Sequence, residues 1–159
     1  MNVNNLLYAL VALVQILVLG GLFLLARRFL RSKKPMGSAG TISVDTLGLA
    51  TIPVFATFTG LRGLSPWLAV ATNSLNPHLA ISPDGLEYRV ISKRVAPFST
   101  VESVEVRRGP GTVNLCFVFT SGLFTLSANV GDAASAVRAL SRLPPSILRG
   151  PSARKLQEL

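Results

Sequence analysis

The sequence predicts an α+β protein in which an N-terminal transmembrane helix precedes a small antiparallel β-sheet or partial barrel, closed by a C-terminal α-helix. Three observations predict it. Residues 6–26 carry no charged side chain and include fourteen Leu, Ile, Val or Phe. From residue 78 to residue 128, apolar and polar side chains alternate in short runs separated by turn residues, the period-2 signature of half-buried strands. After Asp132, Val137, Leu140 and Leu143 recur at helical spacing until Pro144 and Pro145 stop the run.

At about 1.5 Å per residue, a helix over 6–26 would be roughly 30 Å long, the thickness of a bilayer's hydrocarbon core. Its large apolar residues contribute about −0.3 to −0.6 kcal/mol each on the insertion scale, roughly −4 to −8 kcal/mol together. The amide of Gln15 does not reverse that sum. A helix in a soluble core would show a polar face. A cleaved signal would show a basic start and a shorter apolar run, whereas residues 1–5 contain neither Lys nor Arg. Arg27, Arg28, Arg31, Lys33 and Lys34 crowd the other end. The positive-inside rule therefore puts the N-terminus outside and everything after Arg27 on the cytoplasmic side of the cell membrane. The five basic side chains would then contact anionic headgroups, at about 1 kcal/mol each. Gly20 and Gly21 have no small partner four residues away, so the stretch carries no Gly-x-x-x-Gly dimer motif.

The expected organisation is a short tail and transmembrane helix over 1–26, a basic juxtamembrane linker over 27–40, a cytoplasmic β-rich domain over 41–143, and a flexible basic tail over 144–159. The chain has 159 residues and a formal net charge of +9, from 16 basic and 7 acidic side chains. Much of that excess is terminal, because Arg149, Arg154 and Lys155 add to the cluster at 27–34. A nucleic-acid surface would instead gather its basic residues on one folded face with aromatics between them. Cys116 is the only cysteine and His78 the only histidine, which rules out an internal disulfide and a Cys/His metal site of the usual ligand number.

Within the domain, the segment 47–72 is apolar and β-branched, interrupted by Gly48, Pro53 and Gly60. It reads as strands near 51–59 and 67–72, with a membrane-dipping segment anchored by Trp67 as the alternative. Leu79 to Ile81, the Ser-Pro-Asp-Gly turn at 82–85, and the alternating Leu86, Tyr88 and Val90 form a hairpin. Val104 and Val106 mark a third strand, ended by a turn at 108–111. Val113, Leu115, Phe117 and Phe119 mark a fourth, and Ser121-Gly122 turns the chain into a fifth over 123–128. Asp132 caps the closing helix.

These stretches resemble the bacterial PH-like domains of small membrane proteins. The likeness rests on His78-Leu-Ala-Ile-Ser-Pro-Asp-Gly-Leu-Glu-Tyr-Arg89, on Pro97-Phe-Ser-Thr-Val-Glu-Ser-Val-Glu-Val106, and on the capped helix after two further strands. In that family an Asp-Gly-Leu hairpin, a Pro-aromatic-Ser lead-in to the third strand and a closing helix recur. The match covers about 65 residues, from 78 to 143. It implies the PH-like fold, with the missing strands to come from 47–72. It does not imply phosphoinositide recognition, because the Lys/Arg motif of the eukaryotic lipid-binding relatives is absent and the first hairpin turn holds Asp84.

No Gly-x-Ser-x-Gly elbow, P-loop or dinucleotide fingerprint occurs. Pro110 between Gly109 and Gly111 removes a donor that a phosphate cradle would use. His78 lacks a relay partner in sequence, and the pairs Asp84/Glu87 and Glu102/Glu105 read as edge charges rather than as acid/base couples. Cys116 reads as a small buried hydrophobe. Lys93 and Arg94, in the connection after Arg89, and Arg107 and Arg108, after the third strand, are the remaining candidates for lipid or partner contact. The expectation is therefore a non-catalytic interaction or scaffold module with no cofactor, no metal and no nucleic acid, whose partners are the bilayer and a membrane or cytoplasmic protein. The alternative is a module that reads anionic lipid surfaces, with an unrecognised enzyme third.

Overall fold

A computed structural model of the chain describes Gln15 and residues 19–21, 39–63 and 69–158, and divides the chain into two units, Met1–Lys34 and Pro35–Leu159. In the first unit Gln15, Leu19, Gly20 and Gly21 are helical. The rest of the stretch 6–26, with Arg27, Arg28, Arg31, Lys33 and Lys34, lies outside the described residues.

The second unit is built from strands β1 (Ser43–Val44), β2 (Ala50–Thr51), β3 (Ala56–Leu61), β4 (Ala69–Asn73), β5 (His78–Ser82), β6 (Gly85–Arg89) and β7 (Lys93–Pro97). A 3-10 turn at Phe98–Thr100 leads into β8 (Val101–Gly109), β9 (Thr112–Phe119) and β10 (Phe124–Asn129), then helix α1 (Ala133–Leu140), β11 (Leu148–Arg149) and helix α2 (Pro151–Gln157). One sheet has the order β1-β2-β5-β6-β7 and the other β11-β8-β9-β10-β3-β4. All pairings are antiparallel except β11 on β8.

This corrects the α+β class with a transmembrane helix. The chain is mostly β, in two sheets rather than one, and its helices α1 and α2 have only eight and seven residues. Among the described residues no helix is long and apolar enough to cross a membrane. The physical reason for the added sheet lies in segments that the alternation did not resolve. Pro53 lacks the N–H that a continuing ladder needs, so the run expected over 51–59 splits there. Ile52 donates its N–H to the Leu79 carbonyl at 2.9 Å, in the five-stranded sheet, and Phe55 donates to Asn129 at 2.8 Å, beside the other sheet. The described part of 47–72 thus supplies strands to both sheets, while Trp67 lies outside the described residues.

One apolar cluster joins the sheets. Leu79, Ile81 and Leu86 from the first meet Val104, Leu115, Phe117 and Leu126 from the second, all buried, with Phe117 the largest of the fully buried side chains. Thr57 adds a polar pin across the interior: its buried hydroxyl donates to the Arg89 carbonyl, linking β3 to β6. Ala136, Ala139 and Leu140 of α1 and Ala153 and Leu156 of α2 complete the same cluster.

The C-terminal residues do not fray as expected. Ile147 is buried, β11 pairs with β8, and α2 packs its Ala153 and Leu156 inward. Asp132 caps α1 as the sequence suggests, accepting the Ser135 N–H at 2.7 Å. That bond holds its carboxyl below the usual carboxylate range. The other end of α1 is finished by Arg149, whose guanidinium donates to the carbonyls of Leu140 (3.3 Å), Leu143 (2.9 Å) and Pro144 (3.2 Å) and to that of Ile147.

Candidate functional site

Among the described residues each sheet ends in a strand with no neighbour on one side: β7 in the first and β4 in the second. Unpaired strand edges are reactive surfaces, since their backbone donors and acceptors are free to pair with another chain. The two edges border one cavity of about 700 Å³. Val70 and Ala71 line it from β4, Val95 and Ala96 from β7, and Phe119 and Leu126 from the strands beneath. Tyr88 and Phe119 stand 6.1 Å apart at 30°, a tilted aromatic pair that ties the two sheets at the floor of the cavity. Val70, Val95 and Phe124 border it while 59%, 53% and 53% exposed, so an apolar surface is held open to solvent here. Its volume falls within the range of about 300–1,000 Å³ usual for ligand sites.

The local sequence makes this edge. Gly85 opens β6 opposite Pro97, and a Cβ on it would lie 2.3 Å from the Ala96 carbonyl oxygen. Only glycine lets β7 come that close, which gives the Asp-Gly-Leu hairpin a packing role as well as a turn role. Lys93 and Arg94 therefore sit on β7 and not in a loop, and Arg107 and Arg108 lie within β8, whose turn begins at Pro110. The structure does not gather these four cations. Lys93 pairs with Glu87 at 2.6 Å. Arg94 lines the large cavity and is the only charged side chain to do so among the described residues. Arg107 lines a separate cavity of about 190 Å³ with Arg62, Glu102 and Ser103, in which Arg62 and Glu102 pair at 2.9 Å. Arg108 is exposed opposite Val113.

The side chains considered for chemistry have structural surroundings. His78 Nε2 is 3.8 Å from Glu87 Oε2, the oxygen that Lys93 also approaches, and His78 lines neither cavity. Burial, with the Lys93 charge beside it, lowers the His78 pKa from its ordinary 6.5, and Glu87 opposes the shift. Glu102 is held by Arg62, while the Glu105 carboxylate lies against Gly150, the residue that leads into α2. Burial pushes the Cys116 thiol up, while the Ser127 hydroxyl, donating to its sulfur at 3.2 Å, opposes the shift. No group of three or more His, Cys, Asp or Glu among the described residues could hold a metal ion.

A scan of family models finds no match to this chain, and searches of curated proteins and of solved structures find none. The groove at β4 and β7 was not visible in the sequence as a site. Its one local sign was Lys93-Arg94 ahead of Val95 and Pro97, the charged and proline-marked composition of an edge strand.

Proposed function

We propose that this chain is a non-catalytic interaction module of the PH-like kind that holds a protein partner in the groove between β4 and β7. The observation that carries this reading is the groove itself: a trough of about 700 Å³ lined by two strands that are unpaired on one side among the described residues, with three half-exposed hydrophobic side chains at its rim. Burying Val70, Val95 and Phe124 on a partner would recover about 25 cal/mol for each Å² removed from water. Among the groups weighed for acid/base work, His78 lines neither of the two cavities, and Glu102, which lines the smaller one, is held by Arg62. The PH-like part of the proposal draws on the Asp-Gly-Leu hairpin, the Pro97 lead-in to β8 and the capped α1. Location at the cytoplasmic face of the cell membrane belongs to the same proposal and rests on the charge of Arg27, Arg28, Arg31, Lys33 and Lys34.

A photo-reactive phenylalanine analogue in place of Val95, in the full-length chain in its own cells, tests the reading. One discrete protein adduct that disappears in the Val70→Glu background is the expected result. Adducts to lipid alone, or a protein adduct indifferent to Val70→Glu, would overturn it.

A further inference from the structure

We infer that the occupant of this groove is an extended segment of the partner that adds as a β-strand, with alternate apolar side chains and a carboxylate set opposite Arg94. The inference rests on the proposed function and goes further, to the conformation and charge of the ligand. Three observations lead to it. First, residues of two sheet-end strands line the cavity: among the described residues β4 is the last strand of one sheet and β7 the last of the other. A strand laid between them meets main-chain donors and acceptors on each flank, the mode in which backbone pairing gives affinity and pockets for alternate side chains give specificity. Second, Ala71, Ala96, Phe119 and Leu126 give the groove an apolar lining, which suits one face of a strand whose side chains alternate.

Third, the charges on β7 are unequal. Lys93 is engaged by Glu87, which leaves Arg94 as the one charge lining the groove, with no carboxylate partner among the described residues. Arg94 stands opposite Tyr88 in the register, and both line the groove. Edge cations ordinarily guard a sheet against indiscriminate pairing. Here the guard becomes selective: a neutral or basic strand would leave Arg94 desolvated or repelled, whereas an acidic residue at that register pairs with it. Repulsion of wrong partners is as much a part of specificity as attraction of the right one.

The probe is a synthetic heptapeptide of alternating valine and threonine with aspartate at one end, titrated against the full-length chain by fluorescence anisotropy. It is expected to bind saturably. Methylating the backbone nitrogens of alternate residues, which deletes the donors along one edge, should weaken binding at least tenfold. Lysine in place of the aspartate should weaken it similarly, and Arg94→Glu should reverse the preference between the two peptides. Equal binding of the N-methylated peptide would overturn strand addition, and an unchanged preference in Arg94→Glu would overturn the charge assignment. Failure of every peptide while dodecanoate binds would replace the strand with an amphiphile. Failure of all these probes alongside a Val95 photo-adduct would sink the strand while leaving the interaction module standing.

Discussion

Replacing Arg149 with methionine keeps the length and apolar stem of the side chain and deletes the guanidinium that finishes α1. Four carbonyls, those of Leu140, Leu143, Pro144 and Ile147, lose a shared cationic donor at once. A hydrogen bond to a charged group contributes about 1.5–3 kcal/mol net, and a cation at a helix C-terminus about 0.3–1 kcal/mol. Arg149 is only part-buried, so water recovers some of the carbonyls and the terms do not add in full. We predict a loss of about 2–3 kcal/mol, equivalent to a fall of roughly 4–12 °C in Tm for a chain of this size. Arg149→Lys keeps the charge but has no planar fork to span several acceptors, and should lose about half as much. Urea unfolding of the full-length chain followed by circular dichroism measures both. A loss below about 0.5 kcal/mol for Arg149→Met, or a lysine variant as stable as the parent, would refute the capping argument.

Thr57→Val preserves shape and leaves the part-buried Arg89 carbonyl without the Thr57 donor, for an expected cost of about 1–3 kcal/mol in the same unfolding assay; a neutral result would mean that the hydroxyl does not tie the sheets. Gly85→Ala forces a methyl against the Ala96 carbonyl and should cost about 1–3 kcal/mol, with β7 amides exchanging faster than the rest of the domain; unchanged exchange would refute the close packing. The His78 pKa is lowered on folding, so the native state binds fewer protons than the unfolded chain between that lowered value and 6.5. Stability is then full above pH 6.5 and falls as pH drops through this window, and His78→Gln should flatten that slope in urea midpoints measured from pH 7.5 to 5. Asp132, lowered from 3.8, acts in a more acidic window and would leave this slope untouched.

What could be read from the chain follows from how local each signal is. The β5–β6 hairpin, β9, β10 and the Asp132 cap rest on neighbours within a few residues, and each forms near where the alternation or the capping residue put it. β7 escaped because only Ala96 of its five residues is buried, so an edge strand of Lys, Arg and Pro offers no period-2 pattern to detect. β2 and β3 were fused because Pro53 reads as an interruption in one strand until the two sheets that it divides are known. The order of the C-terminal residues was hidden for a different reason. Ile147, Ala153 and Leu156 are single apolar residues in a Pro- and Arg-containing stretch, and what makes them core is a surface built elsewhere. Arg149 looked like tail charge, since its partners are carbonyls that every residue carries. The groove is invisible for the same reason: it is made by two strands, Ala69–Asn73 and Lys93–Pro97, that are distant in the chain and have no strand between them among the described residues.

The central claim, that β4 and β7 are open edges built to take a strand, is tested most directly by amide hydrogen exchange of the full-length chain with and without the acidic heptapeptide. The account predicts fast exchange of groove-facing amides in both strands of the free protein and protection of both when the peptide is bound. Edges already protected in the free protein, or peptide-induced protection confined to residues away from β4 and β7, would contradict it.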